Sequence, residues 1–472
     1  MDESRSFCLV SLGCPKNLVD SEGMAMLLRR AGYIAVATPE EADLLIVNTC
    51  GFIAPAREES LTVLQKLAQA RRPGQRLIAA GCYSQRCPRE LAEAVPGIDG
   101  LIGTRRWMDI VTLVERLTPP SPPQSPPRGG RQEAGGSRLP PPVGEGWGGD
   151  QDAPRVPRVA VQGASAYLKL ADGCRRSCAF CAIPLIKGTA VSRPPEAILA
   201  DAVWLAERGV REIILIAQDT TDYGHDLEIF SPFPCREEGR GVRSREGLVE
   251  LLERLVAAVP QVEWMRLMYA YPGRITERLI ETMARHPPIL PYLDIPLQHA
   301  HPRVLRRMRR PADIEGVRRT VERLRAAMPE IAIRTTFLVG YPGETEAQFR
   351  ALLDFVVEME FDRVGVFAYS HEEGTPAASL EDDVPPEVKE ERRERLMEVQ
   401  QRVSLAKNQA LVGRTLDVLI EGRGDGLSVG RSYRDAPEID GLVLVQAELP
   451  VGVIVPVRIT AALEYDLVGE PM

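Results

Sequence analysis

The chain contains no run of eighteen apolar residues and no positively charged start leading into an apolar stretch. Both absences argue against a membrane-spanning helix and a secretory leader, so a cytoplasmic protein is expected. A cationic excess is missing too: 58 Lys and Arg face 66 Asp and Glu, a net charge of −8. That balance argues against wholesale electrostatic binding of nucleic acid, although a local basic patch could exist. Cysteine, by contrast, is present nine times. In a reducing cytosol this points to metal or redox chemistry rather than a disulfide framework. A length of 472 residues allows two to four domains.

Three cysteines, Cys174, Cys178 and Cys181, fall within eight residues in the pattern Cys-x-x-x-Cys-x-x-Cys, with Phe180 just before the last. Three thiolates this close suit a 4Fe–4S cube, each ligating one iron and leaving a fourth open. Zinc is the competing reading, but structural zinc wants a fourth close ligand, and neither His nor Cys follows within reach. The spacing resembles the signature of the radical S-adenosylmethionine superfamily. That resemblance implies that the open iron chelates the amino and carboxylate groups of S-adenosylmethionine, which is cleaved to a 5′-deoxyadenosyl radical.

Residues 1–118 alternate between short apolar runs (7–11, 44–48 and 77–80) and helical patterns (19–30, 54–70 and 88–94). This predicts a small parallel α/β sheet. Cys14 follows the first predicted strand, Cys50 ends the second and Cys82 ends the third. Ligands collect at the carboxyl ends of strands in such sheets, so these three thiols should converge on a second 4Fe–4S site with an open iron. Cys8 lies inside a strand and reads as core, while Cys87, just before the helix-starting Pro88, is the rival ligand.

The tract Ser11-Leu-Gly-Cys-Pro-Lys-Asn-Leu-Val-Asp-Ser-Glu22, followed by Cys50, Cys82 and the later triad, resembles the methylthiotransferase family. Its Pro15-Lys16-Asn17 is similar to the branch acting on an aspartate in the twelfth protein of the small ribosomal subunit. The branch that modifies adenosine in tRNA typically has Gln-Met-Asn there. The resemblance implies two 4Fe–4S clusters and S-adenosylmethionine as cofactors. One S-adenosylmethionine would methylate a sulfur carried on the first-domain cluster. The other would supply the radical that removes hydrogen from the aspartate β-carbon. It also implies an external electron donor and a ribosomal-protein substrate, met on or near the small subunit. Two rival functions are a tRNA methylthiotransferase and a non-enzymatic iron–sulfur or zinc redox sensor.

Residues 119–158 are about half Pro or Gly and read as a disordered linker. Residues 159–403 repeat strand and helix signals six times, which predicts an open, TIM-like (β/α)6 barrel with its chemistry at the carboxyl strand ends. Gln218-Asp219, Gln298-His299 and Arg334 are the candidate cofactor-orienting residues there, joined by Phe180 from the cysteine motif. Gln218-Asp219 occupies the place where, by resemblance, superfamily members carry Gly-Gly-Glu. Arg334, inside a β-branched strand, requires a carboxylate partner, and a cofactor carboxylate would serve. His299 reads equally as a base or as a structural, hydrogen-bonded histidine. Phe230–Gly247, with Cys235, reads as an exposed polar insertion.

Residues 404–472 change period to short strands between Gly and Pro turns, predicting a small antiparallel β-barrel that resembles a TRAM domain. Carboxylates outnumber Arg and Lys about two to one in this tail. Such a surface should repel phosphate and attract a basic protein, disfavouring tRNA.

Overall fold

The structure, a computed structural model, describes residues 5–117, 156–227 and 247–472. Most of the expected linker and nearly all of the Phe230–Gly247 insertion lie outside these residues. No helix among the described residues is long and apolar enough to cross a membrane.

The first domain is a five-stranded parallel sheet of β1 (Ser6–Ser11), β2 (Ile34–Ala35), β3 (Leu44–Thr49), β4 (Arg76–Gly81) and β5 (Gly100–Gly103), in the order β2-β1-β3-β4-β5. Central β3 is buried along its whole length, as expected of a strand covered on both faces. Five helices accompany the sheet: α1 (Pro15–Arg30), α2 (Ala54–Ala70), α3 (Cys82–Arg86), α4 (Pro88–Ala94) and α5 (Ile110–Leu117). Helix α1 begins immediately after Cys14, with Pro in its first turn, rather than at Val19 as the apolar pattern predicts.

The second sheet contains β6 (Val159–Gln162), β7 (Ser165–Lys169), β10 (Glu212–Ile216), β11 (Trp264–Leu267), β12 (Ile289–Asp294), β13 (Ala332–Val339) and β14 (Arg363–Ala368). The run from β7 to β14 is parallel, and β6 adds an antiparallel edge. The six expected strands are therefore present, with one more before them. A short pair, β8 (Ala171–Asp172) with β9 (Val191–Ser192), pinches the base of the Cys174–Cys181 loop. One helix, α6 (Ile183–Lys187), lies between that loop and β9. Gly173 makes the pinch possible, since at φ +76° a Cβ would sit 2.0 Å from the Thr189 carbonyl oxygen.

Alternation along these strands separates two environments. Ile213, Leu215, Met265, Leu267, Leu293 and Ile333 face the outer helices in the largest core. The opposite, inner face holds Ile214, Ile216, Trp264, Met268 and Tyr292 together with Val19 of α1 and Leu419 and Ala436 of the C-terminal domain. By the same alternation Lys169, Glu212, Arg266, Asp294 and Arg334 also point inward, and all five are buried or nearly so. The interior of the open barrel is thus charged, and it is filled from both sides by the flanking domains.

The C-terminal domain is a closed barrel of β15 (Thr415–Gly424), β16 (Leu427–Ser432), β17 (Val443–Val445), β18 (Ile454–Ala462) and β19 (Leu467–Pro471). It departs from the antiparallel expectation at one place, where β17 and β19 pair in parallel. Five strands cannot alternate in direction all the way round a closed ring. The long helix Pro386–Gln409 precedes the barrel and runs across the expected 403/404 division.

The end of β16 and the segment after it enter the charged interior. Arg431 meets Glu212 at 2.6 Å, Arg434 meets Asp362 at 2.8 Å, Asp435 meets Arg363 at 2.6 Å, and Asp440 meets Arg334 at 3.2 Å. Asp435 and Asp440 accordingly leave the acidic surface on which the charge count put them, because buried arginines of the second sheet need them. Asp417, Glu421, Asp425, Glu438, Glu448 and Glu464 remain exposed.

Candidate functional site

Cys14, Cys50 and Cys82 stand at the carboxyl ends of β1, β3 and β4, which are adjacent in the first sheet. Gly13 takes φ +86°, and a Cβ there would lie 2.8 Å from Cys50 Cβ and 3.0 Å from its Sγ, so only glycine lets the first loop come this close. Asn17, one turn into α1, ties the group together. Its amide donates to the carbonyls of Leu12 and Thr49, both at 3.0 Å, and its Oδ1 lies 3.4 Å from Cys82 Sγ. Burial pushes the Cys82 thiol up to about 12, and the neighbouring Cys14 and Cys50 push the same way. Cys50 is raised by burial as well, with a smaller push from Cys14.

Cys87 has different neighbours. Its thiol is raised by burial and then by Glu90, with Arg86 and Arg57 opposing, and it caps α4 at the far end of α3 from Cys82. Cys8 is buried within β1.

Around the second triad, backbone and arginine donors point at sulfur. The Arg176 N–H donates to Cys174 Sγ at 3.4 Å, and Arg310 Nη1 lies 3.6 Å from Cys178 Sγ. Burial pushes Cys174 up to about 11 and Cys181 up to about 12, and each is raised further by its fellow thiols. The Tyr271 ring lies 4.3 Å from both the Arg176 and the Arg310 guanidinium carbons, bracing the cysteine loop. Asp219 accepts from Arg176 at 2.7 Å, so it holds the loop through that arginine. Phe180 packs at the edge of a small core with Ala179, Met308, Tyr341 and Tyr369.

The two triads are joined by α6. Cys82 packs against Ala182 and Ile186, on the turn and helix that directly follow Cys181. Lys187, the last residue of α6, donates to Asp20 of α1 at 2.8 Å, and Lys169 donates to the other Asp20 oxygen at 2.7 Å. Burial works against the Asp20 charge, but Lys169, Lys187 and Arg158 overcome it and hold the carboxyl well below the usual range. A second clamp centres on Glu372, just past β14, which is 2% exposed. It accepts from Arg57 at 2.5 Å, from Arg86 at 2.7 Å and from the Ala54 N–H at 2.8 Å. Those donors lie on α2 and α3, the helices that follow Cys50 and Cys82. Glu372→Ala should leave Arg86 buried without a carboxylate, held only by the carbonyls of Gly51, Phe52 and Glu373, and destabilise the protein by about 3 kcal/mol. A fall in melting temperature checks this, and Glu372→Gln should recover part of the loss.

The remaining candidates divide. Arg334 has its carboxylates within the chain, Asp294 at 3.1 Å and Asp440 at 3.2 Å. Gln298 takes φ +75° and is stitched to β13 through its backbone, donating to the Thr336 carbonyl and accepting from the Leu338 N–H, both at 2.8 Å. Gln218 stands two residues past the end of β10. His299 is 1% exposed, and its Nδ1 accepts from the His301 N–H at 2.9 Å. Burial pulls it down to about 3, so it is neutral. Glu372 and Arg310 were not foreseen; each is one charged residue among many, and only the fold brings it to the cysteines.

The donor set fits iron–sulfur cubes: two groups of sulfur, each at a strand end, the second one met by N–H donors. No three His, Cys, Asp or Glu side chains among the described residues are gathered as one metal ion would need. A cube offers a separate iron to each thiolate and does not require that.

Residues 6–103 match the uncharacterized protein family UPF0004, residues 168–356 the radical SAM superfamily, and residues 412–472 the TRAM domain. Over 469 residues the chain is 52% identical to the ribosomal protein uS12 methylthiotransferase RimO of Chloroflexus aurantiacus, covering 98% of this chain and 99% of that protein. It is 49% identical to the protein of the same name from Roseiflexus sp., over 98% of this chain and 96% of the relative. Among solved structures, the radical S-adenosylmethionine methyltransferase TsrM from Kitasatospora setae aligns with a TM-score of 0.53 and 16% identity. The alignment covers 90% of this chain and 80% of that one, and at such identity the likeness concerns the fold alone.

Proposed function

The chain belongs to the ribosomal protein uS12 methylthiotransferases of the radical S-adenosylmethionine superfamily, and from that premise we propose how its residues divide the work. The enzyme is a transferase acting on uS12, and the atom it modifies is the β-carbon of an aspartate. Cys174, Cys178 and Cys181 would hold a 4Fe–4S cluster that serves S-adenosylmethionine cleavage. Cys14, Cys50 and Cys82 would hold a second cluster that serves sulfur transfer. Bound in this way, the cofactors supply the one-electron chemistry that an unactivated C–H bond demands.

The protein's own task is positional. Phe180, Gln218 and Gln298 line the cofactor, while Asp219 and Arg334 serve it through Arg176 and Asp294. Asn17 sets Cys82 against the loop of Cys14, and the α6 wedge holds the two triads toward one substrate carbon. An external reductant is required, and the protein works in the cytoplasm. We read the chain as domains at 1–118, 159–403 and 404–472, with the helix Pro386–Gln409 carrying the chain across the last division. The exposed carboxylates of the C-terminal barrel favour a basic ribosomal protein over RNA.

The observation that carries this reading is the packing of Cys82 on Ala182 and Ile186, which brings the second triad's helix onto the first triad's ligand. Anaerobically reconstituted protein should bind about eight irons, and loss of Cys174, Cys178 and Cys181 together should halve that number. Mass spectrometry of uS12 and bulk tRNA from a deletion strain should show the methylthio group missing from uS12 alone. Its loss from tRNA instead would overturn the substrate assignment.

A further inference from the structure

Lys16 is the second residue of α1, two positions after Cys14, and it is 6% exposed. Its ammonium lies 3.1 Å from the centre of the Tyr269 ring, and among the described residues no carboxylate forms an ion pair with it. The groups that favour its charge are Cys14 and then Asp294, and Asp294 is already engaged by Arg334 and by the Tyr269 N–H. The first turn of α1 contains no acidic residue, so the cation sits at the positive end of its own helix. Burial and an adverse helix field both weigh against a lysine here unless anionic groups offset them.

The surroundings indicate where such a group comes from. Tyr269 holds a left-handed backbone, φ +62°, at the carboxyl end of β11, a conformation that a tyrosine keeps only when its surroundings enforce it. Asn17, the next residue, touches Cys82. Lys16 therefore lies between the first cysteine triad and the mouth of the central barrel, where the substrate carbon must sit.

We propose that Lys16 receives the side-chain carboxylate of the target aspartate, orienting its β-carbon and selecting aspartate over uncharged analogues. This rests on the aspartate assignment above. An ammonium on a flexible stem, with one face on an aromatic ring, retains donors for a carboxylate oxygen. Buried donors reject a substrate that cannot pair with them far more strongly than an apolar pocket rejects a misfit. The carboxylate of S-adenosylmethionine offers the same chemistry, and the experiment separates the two sources.

The test uses the reconstituted full-length enzyme with uS12 and with uS12 whose target aspartate is replaced by asparagine. Methylthiolation rate and equilibrium binding are measured for both substrates. The parent should prefer aspartate by about 100-fold or more. In Lys16→Met and Lys16→Gln the preference should collapse to within a few fold, while Lys16→Arg keeps much of it and the affinity for S-adenosylmethionine holds. Iron content and melting temperature identify any variant that has lost its fold, and the binding ratio of the other variant then decides. A preference retained in both variants overturns the proposal, as does a parent enzyme that ignores the difference. A fall in cofactor affinity at an unchanged ratio overturns it in favour of the cofactor's carboxylate. A parent that modifies uS12 at some residue other than aspartate overturns the aspartate assignment itself, and this proposal with it.

Discussion

Cys82→Ala should abolish methylthio transfer to uS12, by more than about 100-fold, while leaving reductive cleavage of S-adenosylmethionine at the other triad. Cys87→Ala should leave both activities near those of the parent. The contrast follows from where the two thiols look. Cys82 opens α3 at the end of β4, touches Asn17, and is pushed up by burial together with Cys14 and Cys50. Cys87 lies past the end of the same helix among Glu90, Arg86 and Arg57. Substrate turnover, 5′-deoxyadenosine formation and iron content, measured side by side, separate the outcomes. If Cys87→Ala instead removed the iron and Cys82→Ala did not, the ligand would be reassigned.

Asp20→Asn should be among the most damaging single changes outside the cysteines, destabilising the enzyme by about 3–5 kcal/mol. The carboxylate is 1% exposed and answers Lys169 and Lys187, which are themselves buried. Removing its charge leaves two ammonium groups in a low-dielectric site with one acid fewer. Because the folded carboxyl lies below its unfolded value, its contribution is complete above pH ~4 and disappears as pH falls through the folded value. The gap between parent and variant should therefore be constant from about pH 6 to 8 and shrink in acid below about pH 4. Thermal unfolding across that range checks both the size and the sign. A second effect should accompany the first. Asp20 joins the helix after Cys14 to the helix after Cys181, so the variant should cleave S-adenosylmethionine with less transfer for each cleavage.

Much of the site was legible because its logic is local. Cys174, Cys178 and Cys181 declare themselves by spacing. Cys14, Cys50 and Cys82 follow from the rule that parallel strands gather their ligands at one end, and β1, β3 and β4 obey it. Short β2 and β5 escaped notice because two- and four-residue strands leave little periodicity to read. The charged interior escaped for another reason. Glu212, Arg266 and Arg431 look like solvated surface in a linear chain, yet they form one buried ionic group, with Glu212 between two arginines. Arg334 is intermediate: its need for a carboxylate was evident from its strand, but one supplier, Asp440, stands 106 positions further along the chain. Long-range charge pairing leaves no pattern in sequence, because either sign looks equally at home in water until the fold removes the water.

The segment from Arg431 to Asp440 also bears on the order in which the protein is made. Arg266, Arg334 and Arg363 are synthesised well before Asp435 and Asp440, and Glu212 before Arg431. Before residues beyond 430 emerge, Arg334 and Arg266 have Asp294 and Glu212, but Arg363 lacks Asp435 and Asp362 lacks Arg434, so the interior is only partly matched. Both cysteine triads are by then already translated. The C-terminal segment supplies the last partners of the interior, so any loading of the triads that needs an open interior is expected after residue 181 emerges and before residue 440 does.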